Sequence, residues 1–327
     1  MSEERISLAH GNGGKLTRQL IEKIIAPAFN MSVSLTSQDA ALINSKGSLK
    51  ITTDGYTVDP LFFPGGNIGK LAVCGTVNDL VVSGAKPTYM TVNLFIEEGF
   101  SFRELKLILK SIGEEAKVND VLIVAGDTKV LPKGSIAGIQ IATTGVGEIV
   151  NPTLAITNIQ AGDKVYVSGP VGDHGAAVML AREAFGLQGE IESDCQSVKS
   201  LALALASLPG LKFMRDPTRG GLASVCHEVC DSTKLGIKLM EKQIPIRSQV
   251  KAFCELLGFN PLYLACEGRI VFVTSGDMGE KDLKSLSNSI SQIGTVSDQF
   301  HQLIMETFLG GTNIVPELEN ESLPRIC

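Results

Sequence analysis

Strand-like and helix-like segments alternate along this chain, yet strands also follow one another directly, and that mixture narrows the available folds most. Leu16, Leu20, Ile21, Ile24 and Ile25 recur at helical spacing after a Gly-rich turn. Residues 49–55 (LKITTDG) read as a strand running into a loop, and Ile68, Leu71, Ala72, Leu80 and Val81 as a helix ending near Gly84. Residues 87–96 are rich in β-formers, and 121–127 (VLIVAGD) and 136–149 (IAGIQIATTGVGEI) read as further strands. Ser101 followed by Glu104 has the spacing of a capping box for a helix reaching Glu115. A polar stretch with Pro and Gly, 151–163, marks a boundary. Beyond it KVYVSGP opens a second unit, with helices expected at 176–185, 196–207 and 222–231, strands at 236–240 and 269–275, and a last helix at 299–309. Neighbouring strands in the first half favour two α/β or α+β domains over one doubly wound sheet.

Length agrees: 327 residues at roughly 150 per domain suit two domains. Net charge is −6, with no basic block and no aromatic-basic interleaving, which argues against nucleic acid as a partner. No run approaches the ~20 apolar residues of a membrane span. The first ten residues hold two Glu and no apolar core, unlike a signal peptide. Seven scattered cysteines (74, 195, 226, 230, 254, 266 and 327) without a CxxC pair read as reduced thiols in a cytoplasm. Cys226 and Cys230 flank His227 on an expected helix, and are read as buried small hydrophobes because a metal there would lack ligands.

Several segments carry chemistry. HGNGGK (10–15) precedes the first helix. It is no Walker A loop, because the required Gly would fall at Ala9 and Leu16 replaces Ser/Thr. Its backbone N–H groups at a helix start could still hold a phosphate, with Lys15 as a point charge. Asp39, Asp54, Asp79 and Asp127 recur where apolar segments meet small or turn residues (SQDAA, TTDG, TVNDL, AGDTK). Each alone reads first as a cap or turn residue; read together, they are of the hard-oxygen type that Mg²⁺ shared with nucleotide phosphates would need. MRDPTRGGLA (214–223) offers Arg215, Asp216, Arg219 and a Gly pair opening a helix, a second candidate anion site. Glu267, between apolar neighbours in LACEGRI, is a candidate base. Residues 310–327 hold a Gly-Gly hinge, two Pro and clustered acids, and lack helix or strand periodicity. The sixteen residues after Gly311 could reach roughly 50 Å. They end in Cys327, whose thiol lies beside the α-carboxylate, with Arg325 two residues away to offset that charge.

Taken together, HGNGGK, TTDGYTVDPLFFPGGNIGKLAVCGTVNDL, GDTKV, GDHG, SDC, MRDPTRGGLA, ACEG and the terminal PRIC resemble the HypE family of hydrogenase maturation factors. That family lies in the superfamily of aminoimidazole ribonucleotide synthetase and selenophosphate synthetase. PRIC singles out the family; Asn67 in PGGN departs from it, where Asp is usual. The resemblance implies a PurM-like α+β fold: an N-terminal loop and helix (1–35), an ATP-binding and dimerisation domain (36–150), a C-terminal α/β domain (151–309) and a flexible tail (310–327). It also implies a homodimer whose N-terminal sheets pair into a barrel. By the same resemblance, Asp39, Asp54, Asp79 and Asp127 would serve Mg²⁺ and the phosphates of ATP. Lys15, Asn78, Thr128, Asp216 and Arg219 would lie near the nucleotide, and His10, Gly11, Gly13 and Gly14 would cover it. Lys129 and Glu267 would face the cargo on Cys327. The reaction implied is ATP-dependent dehydration of an S-carboxamide on Cys327 to a thiocyanate, providing cyanide for the Fe of a [NiFe] hydrogenase. The partners implied are the carbamoyl-transferring HypF and an iron-carrying HypC–HypD complex. A small-molecule kinase of the superfamily and an ATP-dependent docking protein are the alternatives.

Overall fold

The computed structural model describes residues 5–11, 15–31, 43–182 and 189–317. The apolar face near the N-terminus becomes α1 (Lys15–Leu20), a π-helical stretch (Ile21–Ile25) and the short α2 (Ala26–Ala28), burying Leu20, Ile25 and Phe29. Next come β1 (Leu49–Tyr56), a small hairpin of β2 (Phe62–Phe63) and β3 (Gly66–Asn67), α3 (Ile68–Val82), β4 (Ala85–Glu97), α4 (Phe102–Val118), β5 (Leu122–Leu131) and β6 (Ile139–Ile149). The strands form a sheet in the order β1-β6-β4-β5, antiparallel except for β4 and β5. The parallel pair needs a crossover, and α4 supplies it.

Helix α3 is apolar on all sides because both its flanks are covered, and only Lys70 and Asp79 among its fifteen residues escape burial. Asn67 starts it. The side-chain oxygen accepts from the N–H groups of Gly69 and Lys70 at 2.9 and 3.1 Å, and Nδ2 donates to Ser111 Oγ at 2.8 Å. Helix α4 is amphipathic instead, burying Leu105, Ile108, Leu109, Ile112 and Ala116 at helical spacing. Ser101 caps it, accepting from the Glu104 N–H. Gly113 lets the end of α2 lie against α4: a Cβ there would stand 1.8 Å from the Ala28 carbonyl oxygen. Along β1, Thr52, Asp54 and Tyr56 turn toward α3 while Leu49, Ile51 and Thr53 face outward.

The second unit comprises β7 (Lys164–Val167), α5 (Asp173–Ala181), α6 (Lys199–Ala206), β8 (Leu211–Arg215), α7 (Gly221–Thr233), β9 (Gly236–Met240), α8 (Ser248–Leu257), β10 (Val271–Thr274), α9 (Glu280–Leu286), β11 (Ser291–Ser297), β12 (Leu303–Glu306) and β13 (Thr312–Ile314). Its sheet runs β13-β12-β9-β11-β7-β10-β8, antiparallel apart from β9 with β12.

Two expectations are corrected. The helix expected at 299–309 is the strand β12. Its residues 303–306 suit either state by composition; β9 provides the backbone partners and Lys238 pairs with Glu306 at 2.5 Å. Residues 310–316, read as the start of a flexible tail, instead complete a hairpin. β13 pairs with β12, the Val315 N–H donates to the Leu303 carbonyl at 2.9 Å, and Val315 is buried. The rest of the expected tail, from residue 318 on, lies outside the described residues.

The two units are stitched through α3. Asn78 Nδ2 donates to the carbonyls of Gln196 and Glu267 at 3.1 and 3.2 Å, and its Oδ1 accepts from the Val198 N–H at 2.8 Å. Among the described residues no helix is long and apolar enough to cross a membrane.

Candidate functional site

A cavity of about 230 Å³ opens where the units meet. Asp54 of β1, Asp79 of α3, Asp216 and Arg219 from the loop between β8 and α7, and Glu267 converge on it. Local structure explains several of these positions. Thr52 Oγ1 donates to Asp79 Oδ2 at 2.7 Å. Gly75, one turn before Asp79, admits the Tyr56 ring: a Cβ there would lie 2.5 Å from the phenol oxygen. Asp216 sits just past the end of β8. The Gly220-Gly221 pair then turns the chain into α7 at φ of 69° and 58°, values L side chains rarely adopt. Gly221 also seats the helix start on the 262–264 backbone, with no room for a Cβ.

Glu267 is held from its backbone. The N–H donates to Asp194 Oδ1 at 3.0 Å, and the carbonyl accepts from Asn78. Arg269 in turn fixes Asp194, its Nε lying 3.5 Å from Oδ2, while its Nη2 donates to Asp173 Oδ2 at 3.2 Å. Asp173 and Asp194 come from the GDHG and SDC segments. Sequence reasoning gave them no role; a buried Arg bracketed by two Asp from distant segments has no local signature.

Crowded acids define the electrostatics. Burial, then the Asp79 carboxylate, pushes Asp216 up to about 7. Burial and the nearby Asp54 charge raise Asp79, against the hydrogen bond from Thr52. Burial holds Glu267 well above the usual carboxylate range. Asp79 and Asp216 also line an adjoining cleft of about 860 Å³ with Lys50 and Arg215.

The remaining expected site residues lie elsewhere in the chain. Asp127, Thr128 and Lys129 are on β5, at the sheet edge opposite β1. Register puts Asp127 level with Asn93, Ala142 and Gly55, so three strand spacings, ~14 Å, separate it from the β1 edge. Its N–H donates to Asn93 Oδ1, and Lys129 Nζ lies 3.3 Å from its Oδ2, both side chains exposed. His10 and Gly11 accompany β5, not the cavity. The His10 ring meets Phe102 edge-on at 5.3 Å, and a Cβ on Gly11 would stand 2.6 Å from the Val130 nitrogen. Asn78 spends its amide on the interdomain stitches. Gly13, Gly14, Asp39 and Cys327 lie outside the described residues, as does the side chain of Lys15.

Among the described residues no three of His, Cys, Asp and Glu stand close enough to hold one metal ion. The oxygen chemistry of Asp54, Asp79 and Asp216 nevertheless fits Mg²⁺ shared with phosphates, because that ion is commonly held by one or two carboxylates and completed by substrate. Cys226 and Cys230 are buried on α7, and burial pushes both thiols up, Cys230 to about 11.

Comparison with known proteins agrees with this architecture. Residues 37–149 match the AIR synthase related protein, N-terminal domain, and residues 160–305 the corresponding C-terminal domain. The carbamoyl dehydratase HypE of Bradyrhizobium diazoefficiens is 42% identical, over 98% of this chain and 96% of its own length. That of Escherichia coli (strain K12) is 39% identical over 98% and 99%. A crystal structure of the hydrogenase maturation protein HypE in complex with ATP superposes with a TM-score of 0.92 at 36% identity, covering 98% of this chain and 99% of that one. The HypE–HypF complex structure gives 0.80 at 44%, covering 91% and 99%. A thiamine-monophosphate kinase of Stenotrophomonas maltophilia, at 0.68, 19% identity and coverage of 93% and 99%, shares the fold alone. With both domains matched in order and relatives aligned from end to end, the chain belongs to the HypE family of hydrogenase maturation proteins.

Proposed function

We propose that the chain dehydrates a carboxamide carried on the sulfur of its own Cys327 to a thiocyanate, using ATP, and so provides cyanide for the Fe of a [NiFe] hydrogenase centre. The observation that carries this reading is the meeting of Asp54, Asp79, Asp216, Arg219 and Glu267 in one interdomain cavity. Relatives named carbamoyl dehydratase, and a relative solved with ATP, support it.

The carboxamide oxygen is a poor leaving group. In the proposed sequence it attacks the γ-phosphorus of ATP, the bond to the β-phosphate oxygen breaks, and ADP leaves. The C–O bond then breaks with phosphate as leaving group, while two N–H protons are removed to give S–C≡N. The sum is carboxamide plus ATP giving thiocyanate, ADP, phosphate and a proton. Arg219 would oppose phosphate charge, and Mg²⁺, where bound, would neutralise more of it. Glu267 is the base of this reading. A carboxylate raised by burial is a stronger base than one in water, and positive charge brought beside it favours its ionised form.

Asp127, Thr128 and Lys129 enter through a homodimer. A second copy whose β5 edge meets the first copy's β1 edge would bring them to the cavity. The outward Ile51 on β1 and Leu122 on β5, 72% and 63% exposed, are apolar side chains such a contact would cover. HypF as the carbamoyl donor is supported by the HypE–HypF complex; the HypC–HypD complex would receive the cyanide. A cytoplasmic setting fits the six free cysteines among the described residues.

The test is intact-mass analysis of the C-terminal peptide after treatment with carbamoyl phosphate, ATP and HypF. Carbamoylated Cys327 should lose the mass of one water when ATP is present. A superfamily kinase would instead turn over without Cys327, so undiminished ATP use by Cys327→Ser would overturn the reading.

A further inference from the structure

Among the described residues, the last side-chain anchor of the chain before Cys327 is a hydrogen bond outside the cavity. Tyr263 Oη donates to the Pro316 carbonyl at 2.6 Å. Tyr263 closes the 3-10 turn Pro261–Tyr263 and stands four residues before Glu267. The same turn bears on the start of α7: a Cβ on Gly221 would lie 2.5 Å from the Leu264 carbonyl oxygen and 2.9 Å from the Tyr263 carbonyl carbon. Thr218 and Arg219, just before Gly221, line the cavity. The Cys266 N–H donates to the Pro217 carbonyl at 2.9 Å, tying the Glu267 segment to that loop. Pro316 is therefore bonded to the segment that also carries the candidate base, and that segment is tied to the cavity-lining loop.

We infer that Tyr263 is a positioning residue for the dehydration, a latch that roots the C-terminal tether at Pro316 and aims the cargo on Cys327 at Glu267. This rests on the proposed function. The eleven residues from Glu317 to Cys327 then set the reach, about 38 Å fully extended. That is shorter than the ~50 Å counted from Gly311, because β13 and Val315 are held by β12. A short connection rooted on the segment that carries Glu267 favours encounter of the thiol derivative with that residue, and a root free to point elsewhere lowers the effective concentration.

Tyr263→Phe removes only the hydroxyl. In the full-length protein carbamoylated on Cys327, thiocyanate formation should slow about five-fold, as expected for one hydrogen bond. A second arm uses the full-length Cys327→Ser protein and an S-carboxamide peptide of sequence ELENESLPRIC supplied in trans. There the peptide should be dehydrated at the same rate with or without Tyr263→Phe, because no tether is involved. Equal slowing in cis and in trans would mean that Tyr263 acts by shaping the Glu267 loop, and would overturn the latch. Unchanged cis rates would overturn it too. If the unsubstituted protein forms no thiocyanate, the dehydratase reading falls instead. The latch is then judged by hydrogen exchange of the Val315 amide, which should quicken in Tyr263→Phe; an unaltered rate would reject it.

Discussion

Glu267 and Asp216 share burial but differ in what their substitution should reveal. Glu267→Gln keeps the size and the backbone bonds to Asp194 and Asn78, and removes only the basic carboxylate. Loss of a general base typically lowers a rate by ~10²–10⁴-fold. The carboxamide on Cys327 should therefore persist by mass analysis while ATP still binds; unimpaired conversion would exclude the role. Asp216 makes a pH prediction. Its folded value of about 7 lies above the ordinary Asp value of about 3.9. The folded chain thus holds this proton more tightly than the unfolded one. Stability from it is fully present below about pH 4 and is lost as pH rises toward and through about 7. In metal-free protein, thermal midpoints should fall over that window, and Asp216→Asn should flatten the fall. Binding of Mg²⁺-ATP should show the opposite trend, tightening as the carboxylate ionises. A nucleotide affinity that does not change between about pH 5.5 and about pH 8 would count against Asp216 as a ligand.

Among the elements, α3 links the most parts of the molecule. It covers the sheet, presents Asp79 to the cavity, and offers Asn78 to the second unit. Its start depends on Asn67, the position where the sequence resemblance led to an expectation of Asp. Either residue type can accept from the first-turn N–H groups, so the departure is conservative in its physical role. Asn67→Ala should destabilise the protein by ~1–2 kcal/mol, read as a lower denaturant midpoint with unchanged slope. Asn67→Asp should stay closer to the parent, keeping the cap and losing only the donor to Ser111. A destabilisation by Asp as large as that by Ala would mean that the Ser111 bond, not the cap, matters. The hairpin of β12 and β13 shows how an element escapes sequence reading. Residues 303–306 and 312–314 are too short for periodicity to distinguish strand from helix, and β13 exists only because β12 offers an edge.

For the molecule as a unit, the question is whether two chains share each site. Asp54 and Asp127 occupy opposite edges of one sheet. If a second copy completes the cavity, Asp54→Asn and Asp127→Asn proteins should each be inactive alone. Mixed and allowed to exchange subunits, they should regain about a quarter of the parent ATP cleavage, since half the dimers are mixed and each holds one intact site. No recovery in a mixture proven to contain mixed dimers would place all site residues on one chain. On the same proposal of a shared site, Ile51→Glu, which sets a charge on the exposed β1 edge, should shift the protein toward monomer by sedimentation and lower ATP cleavage in parallel.

The long elements were legible in local pattern. The amphipathic spacing and cap of α4, the apolar run of α3, the strand 139–149 and the first part of the strand 122–131 follow from local composition, spacing and capping chemistry, which act within one turn or one strand. Asp54, Asp79, Asp216, Arg219 and Glu267, which line the cavity, were all among the residues singled out in the sequence, because acids, an arginine and glycine pairs beside apolar segments suit phosphate and acid–base chemistry when read together. Their grouping was not. Nothing local says that the β1 and α3 acids join the loops near 216 and 267 while Asp127 and Lys129 stay on the far edge; strand order settles that, and strand order is a long-range pairing. The raised acid at 216 likewise needs burial and a neighbouring carboxylate, both products of packing. The anchor at Pro316 depends on Tyr263, fifty-three residues away in sequence, and such a contact leaves no trace until the chain is folded.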